Sequence, residues 1–371
     1  MEKNYYSIDK CKTFLLLLYV IYMLYCGSLN YNNSIMYQER LPFYKELEES
    51  RGSRLVVYIT GDRMGMETQM GIDALDRLVG HLDSFDNSDR ITLFLHSRGG
   101  ATNAGWSIAN LIRSYCKEFE IIVPARAQSA ATLLCLGADK IIMTKQASLG
   151  PIDPSVNSPL NPPIEGAPPQ IRQSVSVESI KGFVQLAKEE FEIKDADNMT
   201  QILTVLSNKV HPLVLGEVFR ARTQIRMLAR SLLEKQFKNP KSSKNKIDKI
   251  VSFLCSDSGS HDYTINRIEA KNNLGLKIED PKPELYTLIM KIYSDIVAEL
   301  ELSTPFNPAV VLSDSESKQY SVRRALIETT SNGTDVFVSE GTLRKQNIQT
   351  PSGIIPAFQD NRTFEGWRKE Q

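Results

Sequence analysis

The sequence predicts an α/β fold with a largely parallel sheet. Three observations lead there. Between residues 53 and 145, apolar strand-type runs alternate with helix-type runs over short connections, the pattern of βαβ units. Two of those strand runs end at turns of small residues that lead directly into a helix, "HSRGG" at 96–100 and "ARAQSAA" at 125–131. Hydrophobic residues make up 42% of the chain and charged residues 24%, enough for a substantial core.

The elements follow in order. Residues 36–52 read as an amphipathic helix, and "SRLVVYITG" (53–61) as a strand ending in a turn. Apolar residues at helical spacing predict a helix over 66–85. "DRITLFLHSRGG" (89–100) is a buried strand that stops at two glycines. A helix at 102–116, a strand at 118–127, a helix at 129–138 and a strand at 140–145 complete the alternation. Residues 149–170 carry seven prolines, so no regular structure is expected there and a long ordered loop is predicted. Helical periodicity returns at 176–193 and 199–237. "NPKSSKNK" (239–246) is a solvated linker, and residues 262–278 read as a short helix followed by a strand. Residues 281–371 are predicted to be a looser, irregular extension, with a helix at 284–300 and a strand-rich tail around "VFVSEGTLR".

Composition excludes some function classes. Lys+Arg and Asp+Glu both number 44, so no global basic field supports nucleic-acid binding. There is no GxGxxG, no Walker loop and no metal-ligand cluster, so no cofactor is expected. The five cysteines are scattered and form no CxxC, which fits free thiols in a reducing, cytoplasmic compartment. The N-terminus qualifies that location. Lysines 3, 10 and 12 precede a strongly apolar run at 14–26, shorter than the ~20 residues of a spanning helix, and no charge returns before Glu39. Two readings stand: residues 13–29 associate with a membrane, or translation starts at Met36 and residues 1–35 are a mis-assigned leader. No A-x-A-like cleavage site follows the run.

The two small-residue turns are where chemistry is expected. Gly99-Gly100 permits backbone conformations closed to other residues and close approach of a ligand. Ser129, at the next strand-to-helix junction, is either a helix N-cap or a nucleophile. Its N–H and that of Ala130 lie at a predicted helix start, where negative charge is favoured. Parallel strands present their C-terminal ends on one edge, so the two turns can converge, as acyl transfer requires. Arg98 either orients a substrate carboxylate or makes a surface salt bridge. His81 and His96 read as structural, and His211 as a cap or packing residue.

"HSRGG…IIVPARAQSAATLLCLGADKIIMTKQASLGPIDP" resembles the core of the Clp protease/crotonase superfamily. The likeness is closest to its serine dehydrogenase proteinase branch, which "YITGDRMGMETQ", "SLGPIDPSVN", "VHPLVLG" and "HDYTINRIEA" also resemble. It covers about residues 40–280 and implies a Clp protease/crotonase-like ββα superhelix of strand–helix units, with the protease domain at 36–280. It further implies a serine-type peptidase acting on protein or peptide substrates, assembled as a homo-oligomer (trimer or hexamer). Position by position, Ser129 becomes the nucleophile and the N–H groups of Gly100 and Ala130 the oxyanion hole; Gly99 and Arg98, from their place at the Gly-Gly turn, are the candidate substrate-binding residues. The base has no counterpart: where the Clp subunit has histidine, this chain has Ile152, Asp153 and Pro154, and where Ser–Lys members have lysine it has Gln170. Asp262 matches the family acid and His261 stands beside it. The substitute bases are His261 first, Asp153 second, then Lys145 and Lys181. Two alternatives remain: a scaffold that has lost its base, and a crotonase-type acyl-CoA enzyme, disfavoured because crotonases carry no serine at this turn.

Overall fold

The computed structural model describes residues 34–370, apart from 86–88, 153–154, 167, 169, 238–241, 258–259, 261 and 351–352. The chain divides into two compact units, Met1–Glu39 and Arg40–Gln371. Helix α1 (Ser34–Arg51) starts in the first unit, and every other described element belongs to the second.

Strands β1 (Arg54–Thr60), β2 (Arg90–His96) and β3 (Glu118–Val123) are buried along nearly their whole length, as strands covered on both faces must be. Helix α2 (Ala74–Leu82) lies between β1 and β2, and α3 (Thr102–Tyr115) between β2 and β3. Helix α3 buries Ala104, Gly105, Ile108, Ala109 and Ile112, one apolar stripe at helical spacing. Pro124 ends β3, and a two-residue strand β4 (Arg126–Ala127) follows. Helix α4 (Ala130–Leu136) is buried on every side, which explains its all-apolar composition after Thr132. Then come β5 (Lys140–Met143) and the short strands β6 (Ser148–Leu149), β7 (Ser155–Val156) and β8 (Val175–Ser176). The proline-rich loop is therefore not wholly irregular, since β7 pairs antiparallel with β8.

Helices α5 (Val177–Gln185), α6 (Ala196–Lys209), α7 (Pro212–Gln236) and α8 (Lys244–Ser252) follow. The predicted 199–237 helix is two helices, because Pro212 starts α7 and His211 caps it by accepting from the Leu213 N–H. Val175, Val177, Leu206, Val210, Val214 and Val218 form a satellite core under this helical region. Strand β9 (Ile265–Asn266) and β10 (Ile278–Glu279) flank a single π-helical turn, so 262–278 holds less α-helix than predicted.

The last ninety residues depart most from expectation. Helix α9 (Pro283–Glu299) matches the prediction, and a short α10 (Pro308–Leu312) follows. Most of the described tail is then regular: β11 (Ser317–Thr329), β12 (Gly333–Thr350) and β13 (Gly353–Glu370) form an antiparallel ribbon. Strand β11 pairs antiparallel with β1, which completes an eight-stranded sheet among the described residues, in the order β10-β5-β3-β2-β1-β11-β12-β13. A buried ionic cluster fastens this region to α1. Arg40, 1% exposed, bonds Glu328 on β11 at 2.7 Å and reaches Asp295 (2.8 Å) and Glu299 (2.6 Å) on α9. Tyr44 donates to the same Glu328. Charges so buried are tolerated only when paired and hydrogen-bonded.

Candidate active site

The two turns singled out from sequence meet at the carboxyl ends of the parallel strands. Ser129 follows β4 and precedes α4 with φ 51° and ψ −118°, a conformation a residue with a side chain adopts only under strain. Its hydroxyl makes no capping hydrogen bond, so the N-cap alternative is set aside. Gly99 (φ 98°) lies directly against this turn. A Cβ there would stand 2.5 Å from the Gln128 carbonyl oxygen and 2.8 Å from the Ser129 Cβ. Gly105 on α3 makes a similar approach, since a Cβ there would collide with the Ala130 carbonyl oxygen. Small residues are thus needed for both turns to close on one another.

Hydrogen bonds fix both turns from beneath. Buried Ser97 Oγ accepts from the Thr60 hydroxyl at 2.6 Å and from the Gly99 N–H at 2.9 Å. The Ser97 carbonyl accepts from the Gln128 N–H at 3.0 Å. Thr132 Oγ1 donates to the Ala127 carbonyl and accepts from the Gly150 N–H, which ties the 148–152 segment to the same place. The N–H groups of Gly100 and Ala130 have no hydrogen-bond partner among the described residues.

A cavity of about 580 Å³ opens over the turns. Ser129, Gly99, Gly100, Arg98, Asp62 and Glu67 line it, together with Ser155 and Asn157. Residues 66–70, predicted to begin a helix, instead run alongside the glycine turn. Met70 bridges Gly100 in parallel, its N–H on the Gly99 carbonyl (2.7 Å) and its carbonyl on the Ala101 N–H (2.9 Å). The spacing of Met66 and Met70 reads as helix, but both side chains are buried by an extended segment.

Asp62 belongs to the site although the sequence alone assigns it no role; it lies within the family-like stretch "YITGDRMGMETQ". Its carboxylate lies 3.4 Å from His96 Nε2, 3.0 Å from Arg126 Nη1 and 3.4 Å from Arg98 Nε. Burial pushes the carboxyl up, but the hydrogen bond and charge of His96, with Arg126 and Arg98, outweigh it and hold it at about 2. His96, buried as its structural reading requires, also bonds the Tyr293 hydroxyl on α9 at 3.1 Å. Burial and the Asp62 charge push the Tyr293 phenol up to about 12. A carboxyl held low in the folded state contributes stability above its unfolded value near 4 and loses it as pH falls through 2. Asp62→Asn is therefore expected to cost about 2 kcal/mol at pH 7 by the usual 1.36 kcal/mol per pKa unit. Urea titrations should show the two proteins converging between pH 4 and 2; a difference unchanged at pH 2 contradicts the assignment.

The remaining described candidates make contacts of their own. Asp153 and His261 lie outside the described residues. Asp262 is exposed in the 260–264 loop, its N–H on Ser260 Oγ. Lys145 stacks over the Tyr286 ring, and Lys181 donates to the Ser256 carbonyl and pairs with Glu178. Arg98 makes the salt bridge that is one of its two readings, while lining the cavity. Among the described residues, Cys116, Cys135 and Cys255 form no disulfide. Among the described residues no group of three or more His, Cys, Asp or Glu could hold a metal ion, and no single helix is long and apolar enough to cross a membrane. Residues 13–29 fall outside that description.

Comparison with known proteins bears on what such a site belongs to. Two proteins of Methanocaldococcus jannaschii, both named only as uncharacterized proteins, MJ0137 and MJ1495, are 26% and 23% identical over 266 and 263 residues. The alignments cover 70% and 69% of this chain, and 80% and 76% of theirs. Among solved structures, a variant of the 1510-N membrane-bound stomatin-specific protease matches 64% of this chain and 85% of its own, at 16% identity and a TM-score of 0.35. ClpP1 from Listeria monocytogenes matches 65% of this chain and 98% of its own, at 16% identity and a TM-score of 0.33. The family model of the ClpP-like SDH-type serine proteinases matches residues 3–320. With that match over most of its length, the chain belongs to the ClpP-like SDH-type serine proteinase family.

Proposed function

We propose that the protein hydrolyses peptide bonds through an acyl-enzyme on Ser129. The observation that carries this reading is the strained, uncapped Ser129 turn pressed against Gly99 beneath an open cavity. Strain of this kind costs roughly 1–3 kcal/mol and persists where the surroundings impose it, commonly at functional sites. In the proposed reaction Ser129 Oγ attacks the scissile carbonyl carbon and gives its proton to a base. The developing oxyanion takes hydrogen bonds from the Gly100 and Ala130 N–H groups. The C–N bond then breaks, the amine leaves with the proton, and water hydrolyses the ester.

His261 and Asp153 remain the proposed bases, with Asp262 as the acid matching the family pattern. Asp153 is two residues from Ser155, which lines the cavity with Ser129. Gly99 and Arg98 are proposed to contact substrate. The substrate is a protein or peptide, and the working form a homo-oligomer, a trimer or hexamer, with membrane association through residues 13–29 as a separate part of the proposal.

The test is labelling with a fluorophosphonate probe between pH 5 and 9, the adduct located by peptide mass spectrometry. Labelling at Ser129 is expected. A midpoint near neutrality assigns His261, a lower one Asp153 and a higher one a lysine. A folded protein that takes no label at any pH overturns the proposal in favour of the scaffold reading.

A further inference from the structure

Strand β11 is irregular where it meets the loop that follows β1. Its register with β12 shifts between Arg323 and Ala325, so Arg324 is the extra residue of a β-bulge. Bulges re-aim side chains and are common beside active sites. Arg323 pairs with Glu299 and Glu370. Arg324 instead reaches the loop that follows β1. Its Nε donates to the Met66 carbonyl at 3.1 Å and its Nη2 to the Glu67 carbonyl. Nη1 is braced by Ser339 Oγ at 2.9 Å and Glu365 Oε2 at 2.8 Å. The Arg324 carbonyl accepts from the Gly61 N–H at 2.7 Å. A rigid planar fork suits two adjacent carbonyls and a brace; a lysine ammonium does not reproduce that geometry.

The loop held in this way leads directly to the glycine turn. Three residues beyond Glu67, Met70 bonds Gly99 with its N–H and Ala101 with its carbonyl, so Gly100 is suspended between two bonds to one residue. A Cβ on Gly100 would collide with the Met70 carbonyl oxygen, so the turn follows Met70 closely. On the other side of Met70, Trp367 Nε1 donates to Asp73 at 2.9 Å. Arg324, Ser339, Glu365 and Trp367 all lie beyond residue 320, where the family match ends.

We propose that Arg324, braced by Ser339 and Glu365, is a positioning residue that sets the aim of the Gly100 N–H through the 66–70 segment. The C-terminal ribbon thereby becomes part of the support of the active site. The inference rests on the reading of Gly100 as an oxyanion donor.

Two measurements on Arg324→Ala and Arg324→Lys test it in the full chain. Hydrogen exchange reads the hold on the loop without reference to activity, and the rate of fluorophosphonate labelling reads the site. In Arg324→Ala the Met70 and Ala101 amides are expected to exchange roughly tenfold faster or more, the scale of one lost charge-assisted hydrogen bond. Amides of Leu93 and Ile121 in the central strands should keep their wild-type rates, and labelling should slow by a similar factor. Arg324→Lys should fall between, and it carries the comparison should the alanine protein not fold. Wild-type exchange at Met70 and Ala101 in a variant overturns the proposal. So does faster exchange with an unchanged labelling rate. Failure of the wild-type protein to label at all counts against Ser129 instead, and the exchange data distinguish the two failures.

Discussion

Ser129→Gly is expected to take no fluorophosphonate label and to cleave no peptide, yet to be more stable than the wild-type protein. The inactivity follows from loss of the attacking oxygen, and the stability gain from the backbone conformation. At φ 51° and ψ −118° the serine Cβ crowds its own backbone, and glycine relieves that crowding. The gain should be about 1 kcal/mol, the lower part of the usual range for such strain after allowance for the freer unfolded chain. Ser129→Ala should be as inactive, because it too lacks the attacking oxygen, but should gain nothing, because it keeps the Cβ. Thermal or urea unfolding of the three proteins gives the order directly. A destabilised Ser129→Gly protein would mean that the hydroxyl serves the fold. A labelled Ser129→Ala protein would remove the serine from the chemistry.

The second large effect is expected at Gly99. Alanine there faces two penalties. A φ of 98° is foreign to residues with a side chain, and the new methyl lies inside contact distance of the Gln128 carbonyl, the Ser129 Cβ and the Ala130 nitrogen. None of these is the end of a flexible side chain, so the two turns must separate. Displacement by an ångström at a reacting centre costs about a hundredfold in rate. Labelling of Gly99→Ala should therefore slow by about a hundredfold or more, with a loss of about 2–4 kcal/mol in stability, as strain and overpacking combine. Gly182→Ala is the control. That glycine sits in a helix with nothing within 4 Å of the added methyl, so helix propensity should make the change neutral or stabilising by up to about 1 kcal/mol. Equal labelling rates in the two variants would contradict the close approach on which the site depends.

The parts of the fold that sequence discloses are those set by neighbours in the chain. The alternation from 53 to 145 follows from local periodicity, and Gly99, Gly100 and Ser129 stand at turns that short-range rules mark. Residues 66–73 mislead because Met66 and Met70 fit a helical stripe, while Met70 is buried in the main core and Met66 among Leu312, Tyr320, Val322 and Leu343 from the end of the chain. Asp62, His96 and Tyr293 belong to three separate segments, so no spacing announces that they meet. The C-terminal ribbon reads as loose because nothing within it says that its partner is β1, more than 250 residues earlier. Arg324 is inconspicuous for the same reason: a bulge is a relation between two strands, and one strand's sequence does not contain it.

The pairing of β1 with β11 also sets an order of events during synthesis. Chains emerge from the ribosome N-terminus first. The glycine turn, Ser129 and the core around α3 and α4 are available when fewer than half of the residues have been made. Until β11 arrives, β1 is an open sheet edge and the loop after it lacks the Arg324 hold. The nascent chain thus carries the proposed nucleophile before it carries the support proposed for the Gly100 N–H. On the proposed function, the chain would stay slow toward its neighbours on the polysome and gain full reactivity only when its final strands have docked.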